Sequence, residues 1–165
     1  MVVVLMGVSG AGKTTIGRLL ASQMGWEFRD GDDLHSDASK GKMARGIALT
    51  DSDRAPWLAG IRNLITKSLA RDANLVLACS ALKRSYRDQI AVDPERVKFV
   101  YLKGSRELIG ARIAARTSHL MNKNLLDSQF ETLEELHDGI VVEIAATPGE
   151  IAVNIRKQLG LQASR

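Results

Sequence analysis

The sequence predicts an α/β fold in which helices cover a parallel sheet. Two observations predict it: apolar runs of strand length recur along the chain, and segments with helical periodicity lie between them. The runs at 2–6 and 75–79 are apolar throughout, as is typical of strands buried on both faces, so we expect them at the centre of the sheet. A length of 165 residues fits one domain. The expected strands are Val2–Met6, Trp26–Phe28, Leu75–Cys79, Val97–Leu102 and Ile140–Ile144.

Two of the expected helices follow from apolar stripes. Residues 16–24 and residues 58–69 each place their apolar side chains on one helical face. Thr50 and Asp53 precede the second stripe at the spacing of a capping box, but Pro56 leaves the start of this helix open by several residues.

The last helix has the clearest boundaries. Thr147 suits the N-cap, Pro148 suits the first helical position, and Glu150 completes a capping box. An apolar residue then recurs every four positions until Gly160, which we expect to end the helix.

Composition argues against several classes of protein. The net charge is +4, but the 23 lysines and arginines are spread along the chain and only 4% of residues are aromatic, so a nucleic-acid-binding protein is not favoured. One cysteine, Cys79, and three scattered histidines give no zinc spacing. No apolar run is long enough for a membrane span, and the first strand lacks the features of a leader peptide. We therefore expect a cytoplasmic protein without a membrane or nucleic-acid partner.

Residues 7–14, GVSGAGKT, match the phosphate-binding pattern GxxxxGK[ST] at every fixed position. The segment lies between an apolar strand and an amphipathic helix, the context that the pattern requires. Glycines let successive backbone N–H groups turn toward phosphate oxygens, and the helix N-terminus adds positive potential. The alternative is a glycine-rich turn that binds nothing.

The loop assigns roles to particular side chains. Lys13 supplies a positive charge for the β and γ phosphates, and the Thr14 hydroxyl is placed to ligate Mg²⁺. Thr15 is a candidate for the α phosphate. The sequence thus predicts a domain of the P-loop nucleotide-binding class that uses Mg²⁺. GTPases, motor-type ATPases and small-molecule kinases share this loop, so the loop does not choose among them. The expected nucleotide-binding positions in the loop are Gly7, Val8, Ser9, Gly10, Ala11, Gly12, Lys13, Thr14 and Thr15.

Two carboxylates follow the second expected strand, at the edge of the sheet where open α/β folds bind ligands. Asp30 can hold the water shell of Mg²⁺, and Asp32 can accept the proton of an attacking hydroxyl. The alternative is a solvated turn, which Asp-Gly also favours.

Pairs of cations at helical spacing lie further along the chain. Lys83 and Arg87 follow the third strand and could clamp a carboxylate. Arg112 and Arg116 precede a polar stretch that contains His119, and could neutralise the phosphoryl group in transfer. For both pairs the alternative is a solvated basic surface. The polar stretches 30–53 and 116–124 should be surface excursions from the sheet.

Taken together, these motifs resemble the gluconokinase family, and the resemblance covers nearly the whole chain. Three of the motifs are far more specific than the phosphate loop: LTDSDRAPWL, CSALKRSYRD and SQFETLE. The segments that carry the resemblance are Gly7–Thr14, Asp30–His35, Lys42–Met43, Leu49–Leu58, Cys79–Asp88, Tyr101–Gly104 and Ser128–Glu134.

The resemblance implies ATP-dependent phosphorylation of D-gluconate at its 6-hydroxyl by direct in-line transfer, often by a homodimer. It also implies a three-layer fold with a five-stranded parallel sheet, a substrate-binding insertion at 31–54 and a lid at about 116–124. Leu120 and Leu136 depart from the usual pattern at the lid and its exit.

The resemblance carries roles onto matching residues. Asp32 would hold the acceptor hydroxyl and act as the base, and Lys13 and Arg116 would also act in catalysis. Arg112 and Arg116 would be lid residues that touch adenine or phosphates. The implied acceptor-binding residues are Asp32, His35, Arg54, Lys83, Arg87, His119 and Gln129.

Three alternatives stay open at this stage. A shikimate or nucleoside monophosphate kinase would share the loop and the aspartates, but its acceptor pocket does not require the CSALKRSYRD segment. A regulatory nucleotide switch would bind ATP without an acceptor. A basic nucleic-acid-binding protein would bind with strong salt dependence.

Overall fold

The computed structural model of the protein describes residues 1–115 and 123–162. Its strands are β1 (Val2–Met6), β2 (Glu27–Asp30), β3 (Leu75–Ala78), β4 (Val97–Lys103) and β5 (Ile140–Glu143). Within the described residues these five strands form one parallel sheet in the order β2-β3-β1-β4-β5. The predicted α/β class, the parallel sheet and the central place of the two apolar runs are confirmed.

The predicted ends of β2 are wrong. Trp26 precedes the strand, and the pairing with β3 continues beyond Phe28 until Asp30 lies opposite Ala78. β2 is an edge strand whose residues alternate between exposed and half-buried, so no continuous apolar run marks where it ends. Asp30 is therefore the last residue of a strand rather than the first of a turn.

The sheet separates two apolar cores. Val3 and Leu5 face one core, whereas Val2, Val4 and Met6 face the other, as alternation along a strand requires. Every residue of β1 is buried, because this strand has neighbours on both edges and helices over both faces.

Helices cover both faces of the sheet. The helices are α1 (Lys13–Met24), α2 (Asp37–Ala44), α3 (Asp51–Ala70), α4 (Arg84–Ile90), α5 (Arg106–Ala115), α6 (Lys123–Thr132) and α7 (Pro148–Gln158). Helices α1, α5, α6 and α7 contribute buried side chains to the core that contains Val3, and α3 and α4 contribute to the core that contains Val2.

The predicted helix starts at Thr50 and Thr147 are confirmed. Each threonine side chain accepts a hydrogen bond from the backbone N–H three residues later, and the acidic side chain there accepts one from the threonine N–H. Pro56 lies within the second turn of α3. The capping box thus fixes a helix start that the proline left open in the sequence.

The polar stretch 30–53 runs over the surface between β2 and α3. It contains a short 3-10 helix, Gly31–Leu34, and helix α2, which the sequence pattern did not predict. Most of the second polar stretch, residues 116–122, lies outside the described residues, and α6 begins at Lys123. Among the helices of the described residues, none combines the length and apolarity needed to cross a membrane.

Candidate active site

The phosphate loop connects β1 to α1 and depends on glycine conformations. Gly7, Gly10 and Gly12 have φ values of 143°, 81° and 98°, which side-chain-bearing residues rarely adopt. At Gly7 a Cβ atom would also lie 3.0 Å from the carbonyl oxygen of Leu102. Gly12 is the N-cap of α1 and provides no side-chain cap, so N–H groups of the first turn are left for a ligand.

Lys13 is half-buried inside this loop, and its ammonium group is bound by the loop itself. Its Nζ donates hydrogen bonds to the carbonyl oxygens of Gly7 and Val8, both at 2.9 Å. Burial lowers the pKa of Lys13, and the nearby carboxylates of Asp32 and Asp30 oppose that shift. The loop therefore holds a lysine that faces carboxylates across the site.

The end of β2 brings two carboxylates to the loop. The Thr14 hydroxyl donates to Asp30 Oδ2 at 2.7 Å, and Asp30 Oδ1 accepts from the N–H of Asp32 at 3.1 Å. Between them, Gly31 has no space for a side chain, since a Cβ atom would lie 2.8 Å from the carbonyl oxygen of Ala78. The absence of a side chain at Gly31 thus lets its backbone lie close to Ala78, which positions both aspartates.

One surface cavity is lined by both the phosphate loop and the aspartates. Its lining includes Lys13 and Thr14 of the loop together with Asp30 and Asp32. The side chain of Asp32 is 65% exposed, so an acceptor can reach it. The cavity can hold a phosphoryl group between a cation and a carboxylate.

A buried histidine packs behind Asp32. The His35 ring stacks on Trp57 with 4.5 Å between ring centroids, and Trp57 Nε1 donates to the carbonyl oxygen of Gly31 at 2.8 Å. His35 Nε2 lies 3.8 Å from Asp32 Oδ1, while its buried Nδ1 has no hydrogen-bond partner among the described residues. Burial lowers the pKa of His35, which favours a neutral imidazole at pH 7.

A cluster of four side chains joins the start of α3 to the start of α4. We call it the Asp51 cluster; it consists of Asp51, Arg54, Lys83 and Tyr86. Lys83 Nζ and the Tyr86 hydroxyl both donate to the Asp51 carboxylate, the former at 3.0 Å. Arg54 donates to the Tyr86 hydroxyl at 3.3 Å and lies over the tyrosine ring.

The chain is similar to proteins of known activity over most of its length. The profile of the shikimate kinase family matches residues 9–159. A gluconokinase of Gluconobacter oxydans is 46% identical over 131 residues, which cover 79% of this chain and 74% of the relative. A probable gluconokinase of Dictyostelium discoideum is 46% identical over 140 residues, which cover 81% of this chain and 70% of the relative.

A solved structure agrees with these sequences. The crystal structure of a gluconokinase from Sinorhizobium meliloti superposes with a TM-score of 0.83 at 39% identity and covers 96% of this chain and 94% of its own. The chain belongs to the gluconokinase family. The resemblance read from the sequence is confirmed, and membership of this kinase family means that the protein is an enzyme with a nucleotide as one substrate.

Gln129, a residue of α6, contacts the phosphate loop in this gluconokinase-family structure. Its Oε1 accepts from the backbone N–H of Ser9 at 2.7 Å, and its Nε2 donates to the Ser9 hydroxyl at 3.4 Å. The sequence placed Gln129 among acceptor-binding candidates, whereas its observed contacts connect α6 to the nucleotide end of the site.

The cations that the family resemblance assigned to acceptor binding do not all lie in one cluster. Lys83 lies in the Asp51 cluster, but the buried Arg87 donates to the carbonyl oxygens of Ala81 and Leu82, at 3.0 and 3.1 Å. The sequence predicted that Lys83 and Arg87, four residues apart, share one helical face. That prediction is wrong, because Lys83 precedes α4 rather than lying in it. Ala81 has a positive φ of 42°, a strained turn that aims its carbonyl group at Arg87.

The residues expected at the lid are described only in part. Arg112 NH2 donates to the carbonyl oxygen of Ile144 at 2.5 Å, which connects α5 to the end of β5. Arg116 and His119 lie outside the described residues.

Sequence reasoning missed Asp51 and Tyr86. Both stand inside motifs that the resemblance used, but no spacing rule brings together residues 35 positions apart. The only available signal was an aspartate beside the helix start at Thr50, which also serves an ordinary helix terminus.

Cys79 is buried next to the site, at the end of β3. Burial is the main cause that raises its pKa to about 12. It remains a thiol at neutral pH, which is typical of a small buried apolar residue rather than a nucleophile.

The described residues contain no group of three or more His, Cys, Asp or Glu side chains arranged to hold a metal ion. The Thr14 hydroxyl and the Asp30 carboxylate nevertheless lie side by side, 2.7 Å apart, at the cavity. A site with so few protein oxygens fits Mg²⁺, which keeps several waters and uses phosphate oxygens as further ligands.

Proposed function

We propose that the protein transfers the γ-phosphoryl group of ATP to the 6-hydroxyl of D-gluconate, giving 6-phospho-D-gluconate and ADP. The observation that carries this proposal is its membership of the gluconokinase family, whose members include the gluconokinase of Gluconobacter oxydans. The cavity between Lys13 and Asp32 supports the same conclusion, because a kinase must hold the phosphoryl group between its nucleotide and its acceptor.

The phosphate loop would bind the nucleotide. Backbone N–H groups of the loop and of the first turn of α1 bind phosphate oxygens, with Thr15 beside the α phosphate. Lys13 exchanges the carbonyl groups of Gly7 and Val8 for the β and γ phosphates, since a charge-assisted hydrogen bond is stronger than one to a neutral carbonyl.

Thr14 would ligate Mg²⁺ directly, and Asp30 would hold it through a water molecule. Mg²⁺, when bound, would offset the negative charge of the nucleotide phosphates. The contact between Thr14 and Asp30 keeps both oxygens at the mouth of the loop.

Asp32 would act as the general base. Its carboxylate is exposed to the cavity and can accept the proton of the 6-hydroxyl as that oxygen attacks in line. His35, Arg54 and Lys83 would hold the hydroxyl groups and the carboxylate of gluconate, as the resemblance implies. Arg87 and Gln129 are also candidates by resemblance, although Arg87 is bonded to backbone carbonyl groups and Gln129 to Ser9.

Residues 31–54 would form the acceptor side of the pocket, and residues near 116–124 would close over the nucleotide. Arg112, Arg116 and His119 belong to this lid in the proposal. Its closure excludes water, which would otherwise compete with the acceptor for the phosphoryl group. We further propose a cytoplasmic homodimer on the family resemblance; sedimentation of the purified protein measures the oligomeric state.

The first test is turnover of ATP and Mg²⁺ with D-gluconate, shikimate, nucleoside monophosphates or no acceptor. We expect ADP only with gluconate, matched by an equal amount of 6-phospho-D-gluconate. Equal ADP release without an acceptor would indicate an ATPase or a nucleotide switch. ADP release with shikimate alone would indicate the activity that gives the matching family profile its name.

The base is tested by Asp32→Asn, with Asp33→Asn as the matched control because Asp33 is an adjacent exposed aspartate. Asp32→Asn should lower kcat by about 10²–10⁴-fold, the usual contribution of a general base. Near-normal kcat in this variant would mean that Asp32 is not the base.

A further inference from the structure

The Asp51 cluster surrounds one carboxylate with donors. Lys83 Nζ lies 3.0 and 3.3 Å from the two Asp51 carboxylate oxygens, and Tyr86 donates its hydroxyl proton to one of them. Lys83 also lies over the Tyr86 ring, 5.4 Å from its centroid. The hydrogen bonds from Tyr86 and Lys83 lower the pKa of Asp51, so its carboxylate is ionised at neutral pH.

The members of the cluster differ in exposure. The Asp51 side chain is 69% exposed, whereas that of Lys83 is 31% exposed and Tyr86 is buried. Exposed ion pairs contribute little to stability because water screens them. The aspartate is therefore the member that can leave at low cost, while the donors stay in place.

The donor set suits a ligand carboxylate as well as it suits Asp51. An ammonium group and a phenol hydroxyl make charge-assisted hydrogen bonds with any carboxylate. Arg54 adds a second cation, which is held in place by the Leu49 carbonyl oxygen at 2.7 Å. Helix α3, which carries Asp51 and Arg54, packs against the segment of Asp32 and His35, because its Trp57 stacks on His35 and donates to the Gly31 carbonyl oxygen. The cluster therefore adjoins the acceptor side of the site.

We propose that Asp51 is a resident carboxylate that occupies the subsite for the carboxylate of the acceptor. The acceptor displaces Asp51 from Lys83 and Tyr86 when it binds. The identity of this acceptor as gluconate rests on the proposed function.

Displacement means that Asp51 competes with an acidic acceptor for Lys83 and Tyr86. Replacing one carboxylate by another keeps the charge balance around Lys83 and Arg54. A neutral polyol has no group that can replace Asp51, so the cluster stays closed against it. Lys83 and Tyr86 thereby favour acidic acceptors over neutral ones of the same length, while Asp51 competes only with the acidic ones.

The test is calorimetric binding of D-gluconate, with D-glucitol as the neutral analogue. Asp51→Asn should tighten gluconate binding by about two- to five-fold, the range expected when a competing exposed ion pair is removed. It should leave D-glucitol binding unchanged. Asp37→Asn is the matched control, because Asp37 is an exposed acidic residue in the first turn of α2; it should change neither affinity.

A second variant and a double mutant keep the test decisive. Asp51→Ser should reproduce the gain if Asp51→Asn does not fold. In a Lys83→Ala background the gain from Asp51→Asn should vanish, because Asp51 competes for Lys83. A gain that persists without Lys83, or that also follows from Asp37→Asn, would show a general charge effect and overturn the proposal.

Weaker or unchanged gluconate binding in Asp51→Asn would also overturn it. The turnover assay on the same samples separates the two proposals. If gluconate is phosphorylated but Asp51→Asn does not raise the affinity for it, the proposed function is supported and the proposed role of Asp51 is overturned. If Asp51→Asn raises the affinity but gluconate is not phosphorylated, the proposed role of Asp51 is supported and the proposed function is overturned.

Discussion

The charged side chains of the site are already bound before any ligand arrives. Lys13 is bonded to two carbonyl groups of its own loop, Thr14 to Asp30, and Lys83 to Asp51. These contacts fix the side chains near the positions where ligands need them, so that less rotational freedom is lost on binding. They also satisfy half-buried groups that would otherwise be costly.

Lys13→Ala tests the loop at the scale of one residue. The variant should lower kcat by at least about 10²–10³-fold, the typical loss when one preorganised donor to a developing charge is removed. Circular dichroism should show a retained fold, since the hydrogen bonds of Lys13 within the described residues go to backbone carbonyl groups of its own loop. Lys67→Ala, on the exposed side of α3, serves as the control and should keep full activity. An active Lys13→Ala enzyme would contradict the assigned role.

Sequence alone could assign residues whose contacts are local. The carbonyl partner of Lys13 at Gly7 is six residues away, inside the same motif. Gln129 contacts Ser9 across 120 residues, and no pattern in the sequence marks that pairing. The same holds for the contact between Asp51 and Tyr86.

Residues 31–54, the proposed acceptor-binding insertion, are organised by the starts of helices α2 and α3. Asp53 accepts from Thr50 in the capping box of α3 and also from Lys42 of α2, at 2.9 Å. These bonds, chiefly the one from Lys42, lower the pKa of Asp53 to about 2. The sequence predicted the capping box because it is local. It did not predict α2, whose residues are mostly exposed and polar, because this helix depends on its Ser36 cap and on Lys42 rather than on an apolar stripe.

The capping box of α7 provides a test at the scale of an element. Thr147→Ala removes an acceptor for the Glu150 N–H and should lower the free energy of unfolding by about 1 kcal/mol, or Tm by about 2–4 °C. Activity at moderate temperature should not change, since α7 packs on α1 and none of its residues lines the cavity. Thermal unfolding with Val153→Ala as the control checks it, because Val153 is an exposed residue of the same helix. Equal melting temperatures for wild type and Thr147→Ala would mean that the cap does not stabilise α7.

At the scale of the whole molecule, the parallel sheet brings the parts of the site together at the carboxyl ends of its strands. The phosphate loop follows β1, the aspartates end and follow β2, and the segment before Lys83 follows β3, so parallel strands bring all three together. The alternation of apolar, strand-length runs with helical segments along the chain is enough to predict this arrangement. The packing between the insertion and α4 could not be predicted in the same way, because it depends on contacts that the alternation does not specify.

His35 couples the pH to the stability of the whole molecule. Its pKa is lowered from the ordinary 6.5 by burial, and the groups that face it are Asp32, Arg54 and Lys40. Above that ordinary value both the folded and the unfolded state hold a neutral imidazole. As the pH falls below it, the unfolded state binds a proton first, so the free energy of unfolding falls by up to about 1.4 kcal/mol per pH unit.

Denaturant unfolding at about pH 7.5 and about pH 5 measures this coupling. We expect the wild type to lose more stability on acidification than His35→Gln, which cannot titrate in that range. The lowered pKa values of Asp51 and Asp53 do not interfere, because a depressed carboxyl pKa removes stability only as the pH falls below the ordinary 3.8. His137→Gln is the matched control and should keep the wild-type dependence. Equal losses in wild type and His35→Gln would mean that the buried imidazole is protonated in the folded protein, in which case its contact with Asp32 would be an ion pair rather than a neutral one.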